Sequence, residues 1–146
     1  MFNKETEYAL RALVYIQIRN SENEKPSILE IAQEIEAPPF YIAKILQRLV
    51  KLGLLNSLKG KGGGFFFDAQ KEPVTLMQVI ESTEGSKLFC GCGLGLKNCD
   101  ENNPCPIHDQ FMVIRNHIRQ LVQGETIQSL AKRTHDHKLA LNRLIG

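Results

Sequence analysis

Cys90, Cys92, Cys99, Cys105 and His108 bring the softest ligands of the chain into one stretch, and all four cysteines are among them. Thiolates and an imidazole suit zinc or an iron–sulfur cluster. Zinc knuckles usually separate their cysteines by two to four residues. Here six residues lie between Cys92 and Cys99, and five between Cys99 and Cys105. Wider, glycine-rich spacing suits a larger cluster, whose bridging sulfides accept hydrogen bonds from nearby backbone N–H groups. Gly91, Gly93 and Gly95 permit that approach, and Pro104 and Pro106 stiffen the last ligand. An iron–sulfur cluster, a zinc ion and metal-free redox thiols are the three readings, in that order. The ligand set is Cys92, Cys99, Cys105 and His108, with Cys90 as an alternative to Cys92.

A second set of residues points to a polyanion. Between residues 38 and 67 stand Lys44, Arg48, Lys51, Lys59 and Lys61, and no Asp or Glu. Ser27 followed by Glu30 is a capping box that starts a helix. Ile28, Ile31, Ala32 and Ile35 share one face of it. Pro38 and Pro39 prevent its continuation, and Pro39 can open a second helix. There Ile42, Ile45, Leu46 and Leu49 form the apolar stripe, with Tyr41, Lys44, Arg48 and Lys51 opposite. Gly53 ends it. Residues 54–58 and 65–67 can pair as strands around a Lys59-Gly60-Lys61-Gly62-Gly63-Gly64 tip able to reach positive φ. Helix, turn, basic helix and basic hairpin suit duplex DNA, where the major groove distinguishes the base pairs. The candidate contacts are Ser27, Pro39, Phe40, Tyr41, Lys44, Arg48, Lys51, Lys59 and Lys61.

The remaining elements position these two sets. Asn3 can cap a first helix to about Arg19, with Glu5 and Glu7 at its positive end. Its apolar residues fall on two sides, so it is buried on two sides, in part by a second subunit. Thr75 and Gln78 form another capping box, opening a short helix through Ile80. Residues 85–106 show neither helical nor strand period and read as a functional loop. Ile107, Phe111, Ile114, Ile118 and Leu121 then follow a four-three-four-three spacing, a heptad seam widened by Met112 and Val122. A dimer helix is the expectation, stopped by Gly124. Thr126 begins one more short helix through Leu130. The tail from residue 134 to 146 has no clear pattern, and His135 and His137 fit a solvated end. The expected organisation is a winged helix-turn-helix at 1–83, a cysteine-rich loop at 84–106, and a dimerisation helix with C-terminal segment at 107–146. The fold class is mainly α with a small β-hairpin wing.

Composition narrows the function. With 146 residues and 42% hydrophobic content the chain can bury a core. Its formal net charge is only +2, so DNA affinity must come from a local patch. Lys4, Glu5, Glu7 and Arg11 interrupt any signal-like apolar run. No stretch approaches the roughly 18 consecutive apolar residues of a membrane span. A cytoplasmic protein is expected, in which cysteines serve metal or redox chemistry rather than structural disulfides. An enzyme is not expected. Cys90 and Cys92 could form only a strained disulfide, no basic residue nearer than Lys87 or Lys97 lowers a thiol pKa, and there is no nucleophile–base–acid set.

The helix-turn-helix, the glycine-rich wing, the cysteine loop and the long helix together resemble the Rrf family of bacterial winged-helix regulators, in its IscR, NsrR and RirA types. The resemblance covers nearly the whole chain. Its most specific parts are the wing and the Cys105-x-x-His108 ending. It implies a homodimeric transcriptional regulator, read as a repressor, whose long helices cross at the interface and whose two winged helices read a palindromic promoter site. It also implies a two-iron or four-iron cluster on three cysteines and one further ligand, with promoter binding that follows iron–sulfur status, nitric oxide or redox state. By resemblance, Cys92, Cys99 and Cys105 match the cysteine positions and His108 the histidine ligand of the IscR type. Tyr41 and Lys44 match the base-facing part of the recognition helix, and Lys59 the minor-groove residue of the wing, an arginine in the IscR type. The first cysteine interval is one residue longer than in that type. Tyr8 stands where the NsrR type has its aspartate ligand, which favours His108 as the fourth.

Overall fold

The computed structural model describes residues 1–142, so 143–146 of the expected tail lie outside the described residues. Helix α1 (Lys4–Ser21) starts where the Asn3 side chain accepts from the Thr6 N–H at 2.8 Å. It runs two residues past Arg19, and Arg19 sits in its last turn, where a cation complements the helix dipole. Helix α2 (Ile28–Glu34) and helix α3 (Pro39–Lys51) form the helix-turn-helix. Pro39 occupies the first turn of α3, and Ile42, Ile45, Leu46 and Leu49 are buried as their spacing requires. Full burial of each such side chain contributes about 1.5–3 kcal/mol.

The expected capping box at α2 is half formed. The Ser27 hydroxyl accepts from the Glu30 N–H at 3.2 Å. The Glu30 carboxylate does not return to the cap. It accepts from the Tyr15 hydroxyl at 2.7 Å and from Arg19 Nε at 3.2 Å, and so ties α2 to α1. Burial, and then Glu30, push the Tyr15 phenol pKa well above its ordinary value.

Strands β1 (Asn56–Leu58) and β2 (Gly64–Phe66) make an antiparallel wing in which Asn56 faces Phe66 and Leu58 faces Gly64. The second strand leans on the loop before α2: the Phe65 N–H donates to the Pro26 carbonyl at 3.0 Å. Gly64 has φ +146°, and a Cβ there would lie 2.2 Å from the Lys25 carbonyl oxygen. Only glycine permits that approach. Asn20, near the end of α1, clamps the same edge. Its amide donates to Phe65 O at 3.2 Å, and its carbonyl accepts from Phe67 N–H at 2.9 Å.

Helix α4 (Leu76–Glu84) opens on the complete Thr75–Gln78 capping box and runs past Ile80. A one-turn helix, α5 (Lys87–Cys90), interrupts the expected irregular loop, because Phe89 inserts into the core. Helix α6 (His108–Gly124) follows the cysteines, and α7 (Ile127–His137) is longer than expected. A bridge between Thr75 and Thr126 joins the starts of α4 and α7. Helix α7 packs along α1, which also contacts α3 and α4. The two-sided burial of α1 is thus met largely by its own chain, with Ala9, Ala12, Leu13, Val14 and Ile16 all inside. Among the described residues no helix is long and apolar enough to cross a membrane.

Candidate functional site

The solvent face of α3 carries Pro39, Phe40, Tyr41, Lys44 and Lys51, all exposed. Pro38 provides no side-chain cap, and the first turn holds no acid. The N–H groups at that end therefore have no side-chain cap, and the positive end of the helix dipole beside them suits phosphate. Phe40 is 73% exposed, and the Lys44 ammonium sits over its ring at 4.5 Å from the centroid. Tyr41 packs edge-on against Tyr8 of α1, with ring centroids 5.6 Å apart. Lys59 and Lys61 are exposed at the wing tip, and Ser27 is exposed at the start of α2. Arg48 departs from the expected set of free cations. It forms an ion pair with Glu5 of α1, so its charge is neutralised within the fold. Lys25, outside the stretch first singled out, lies over the Phe66 ring at 5.4 Å and adds a cation to the base of the wing.

The cysteine stretch brings two of the candidate ligands into contact. Cys99 Sγ lies 3.5 Å from His108 Nδ1. The Cys92 thiol pKa lies below its ordinary value, first because the Leu94 N–H and then because the Leu96 N–H stabilise its thiolate, with Cys105 adding to the effect. His108 is buried at the head of α6, and its N–H donates to the Cys105 carbonyl at 3.0 Å. Cys90 stands apart: it is exposed and donates its S–H to the Ser86 carbonyl at 3.2 Å. Gly93 rests on the Phe111 ring of α6, where a Cβ would come within 2.8 Å of Cγ. Among the described residues no three of His, Cys, Asp or Glu converge on one point.

Helix α6 presents Ile107, Val113, Ile114 and Leu121 to solvent, with Phe111 and Ile118 half-buried between them. Val122 does not widen this seam. It is fully buried, turned into the core of its own chain.

Residues 2–133 match the profile of Rrf2, described as an iron-dependent transcriptional regulator. The chain belongs to the Rrf2 family. It is 28% identical over 145 residues to an HTH-type transcriptional regulator of Aquifex aeolicus, a match spanning 98% of this chain and 99% of that one. To the HTH-type transcriptional regulator NsrR of Bacillus licheniformis it is 31% identical over 93 residues, 64% of each chain. Among solved structures its fold is similar to CymR, the global cysteine regulator of B. subtilis, with a TM-score of 0.72 at 20% identity over 92% of this chain and 98% of that one. It is also similar to T. potens IscR, with a TM-score of 0.70 at 15% identity over 96% and 92% of the two chains. Rrf2 relatives are transcriptional regulators, not enzymes, and this protein is a DNA-binding transcriptional regulator of that family with a winged-helix fold.

Three residues of this Rrf2 chain escaped sequence reasoning. Arg115 is buried, and its guanidinium donates to the Gly91 carbonyl at 2.7 Å. Arg119 donates to the Phe89 carbonyl one turn further along. Both link α6 to the segment leading into Cys92. The available signal was weak: two arginines four apart on an apolar helix, next to a loop rich in unpaired carbonyls. Asn20 was the other omission, since a helix-end asparagine reads as a cap rather than a wing clamp.

Proposed function

We propose that this Rrf2 protein is a cytoplasmic homodimer that binds a palindromic promoter site and whose affinity follows an iron–sulfur cluster held by Cys92, Cys99, Cys105 and His108. The observation that carries this reading is the contact of Cys99 Sγ with His108 Nδ1, 3.5 Å apart at the head of α6, where the His108 N–H also donates to the Cys105 carbonyl. The cluster would supply a redox- and nitric oxide-sensitive centre. The description of the family as iron-dependent agrees with it.

The chain's own residues do the coupling. Cys105 and His108 belong to the turn that begins α6, so whatever fixes their side chains also fixes the start of that helix. The exposed Ile107, Ile114 and Leu121 stripe is the surface on which a second copy would pack. A dimer sets the distance between two recognition helices, and palindromic DNA requires about one duplex turn between half-sites. A ligand can shift binding only through a difference in free energy between the two geometries. Ordering of the 91–105 loop against α6 provides one. A dimer seated on promoter DNA excludes other proteins from that duplex, so repression needs no further contact surface.

A metal-free thiol switch is the second reading, favoured by one observation: the Leu94 and Leu96 N–H groups hold the Cys92 thiol below its ordinary pKa. Anaerobic purification distinguishes them. Iron and sulfide in equal amounts, a brown colour, and promoter affinity that changes on cluster removal are expected. Equal affinity with and without cluster would overturn sensing, and a colourless protein with DNA binding that responds to thiol oxidation would establish the alternative.

A further inference from the structure

Phe40 is an exposed aromatic side chain at the N-terminal turn of α3, and it is not part of any core. A single exposed apolar side chain is ordinary on a protein surface, and this one is set apart by its place. The N-terminal end of a recognition helix is the part that reaches base edges. The ring is not free: the Lys44 ammonium, one helical turn on, lies 4.5 Å from its centroid. The cation–π contact limits the rotamers of both side chains and holds them as one unit before any DNA arrives. Tyr41, beside them, is turned back onto Tyr8 of α1, which leaves Phe40 as the outward aromatic of this turn.

We infer that Phe40 and Lys44 act as a paired specificity determinant, Phe40 against the C5-methyl of a thymine and Lys44 on the O6/N7 edge of a neighbouring guanine. This rests on the DNA-binding reading above. An apolar side chain reads thymine in the major groove through its methyl group, and lysine donates to the acceptor pair of guanine. Side chains one turn apart are about 5–6 Å from each other, against about 3.4 Å of rise per base pair. The two bases therefore stand about one to two steps apart. Phe40 carries no charge, so its contribution is to sequence choice and not to the electrostatic share of affinity.

The test begins with duplexes selected from a random library by the full-length chain. Each thymine of the selected half-site is then replaced by deoxyuridine, which removes only the methyl group, and each guanine by 7-deazaguanine, which removes only N7. The expected result is one thymine per half-site whose demethylation weakens wild-type binding roughly three- to tenfold. Phe40→Ala should bind the thymine duplex and the uracil duplex equally, with an unchanged salt slope. Lys44→Ala should lose its response to 7-deazaguanine at a position within two steps. The exposure of Phe40 keeps the variant folded, which a thermal melt confirms. Methyl sensitivity that persists in Phe40→Ala, or a selected site with no methyl-sensitive thymine, overturns the inference. A wild-type chain that selects no duplex at all overturns the DNA-binding reading, and this one with it.

Discussion

The Arg115 guanidinium donates to the Gly91 carbonyl at 2.7 Å, so a buried cation of α6 grips the residue immediately before Cys92. Arg119 holds the Phe89 carbonyl in the same way. These contacts make the entry to the cysteine loop a part of the α6 surface. Replacing Arg115 by Met keeps the stem and removes the donor. A hydrogen bond from a charged group is worth about 1.5–3 kcal/mol, so Arg115→Met should lower the unfolding free energy of the metal-free protein by about that much. Amide exchange should accelerate first at residues 91–99. Unchanged exchange there, with a uniformly less stable chain, would show that the arginine supports the core and not the loop.

The wing and the recognition helix should respond differently to charge removal. Lys61 is exposed and in no ion pair among the described residues, whereas Arg48 is paired with Glu5. Each phosphate contact contributes about one unit to the slope of log affinity against log salt. Lys61→Ala should reduce that slope by about one and weaken all sequences alike. Arg48→Ala should change it by much less than one, and should instead lower stability by up to about 1 kcal/mol, the usual range for a partly exposed pair. Equal slope changes in the two variants would mean that Arg48 leaves Glu5 when DNA binds.

Much of this was readable in the chain because local rules acted without opposition. Proline at 39, glycine at 53 and the stripe from Ile42 to Leu49 all demand the same helix. The Thr75–Gln78 cap formed as its residues require. Where reading failed, the deciding partner lay far away in sequence. Glu30 suits a capping box, yet Tyr15 and Arg19 on another helix claim its carboxylate. Spacing places Val122 beside the α6 seam, but only the position of α4 and α5 decides which side is inside. Arg48 has the correct face and the wrong neighbour. The candidate ligands were visible as residue types. The contact of Cys99 with His108 was not, because a glycine-rich loop has no period from which to infer contacts.

The two faces of α6 allow a clean separation of assembly from folding. Ile114 is 56% exposed and Leu121 55%, while Val122 is fully buried. Ile114→Glu combined with Leu121→Glu should leave a folded chain that sediments as a monomer and loses palindrome binding, because a half-site alone offers half the contacts. Val122→Asp buries an unpaired charge and should unfold the protein, with a loss of several kcal/mol. A double glutamate variant that remains dimeric would place the interface elsewhere.

Acid should loosen the junction between α6 and α7. The Glu125 carboxyl is held below its ordinary pKa, chiefly by the hydrogen bond from Arg133 and then by that from Ser129. The folded state therefore binds this proton more weakly than the unfolded state. The resulting stability is present above about pH 4.5 and is lost as pH falls through the lower folded value. Because Arg133 is half exposed, the contribution should stay below about 1 kcal/mol. Glu125→Gln should flatten the acid limb of a stability profile measured by urea unfolding, with little effect near neutral pH beyond that same amount. A parallel profile in the variant would remove Glu125 from the acid response.

The cysteines themselves should divide three to one. Cys99 touches His108, and Cys92 and Cys105 complete the proposed ligand set, whereas Cys90 is exposed and bonded to Ser86. Serine in place of Cys92, Cys99 or Cys105 should abolish stable iron and sulfide retention, since an iron that loses a protein ligand is labile. Cys90→Ser should keep full occupancy and an unchanged spectrum. His108→Cys should retain a cluster with a lowered reduction potential, because thiolate in place of imidazole makes the centre more electron-rich. Far-ultraviolet circular dichroism of the serine variants should match wild type, as the three thiols lie outside the hydrophobic core. If Cys90→Ser loses the cluster while Cys92→Ser keeps it, the roles of the two thiols are exchanged, and the loop must rearrange to turn Cys90 away from the Ser86 carbonyl.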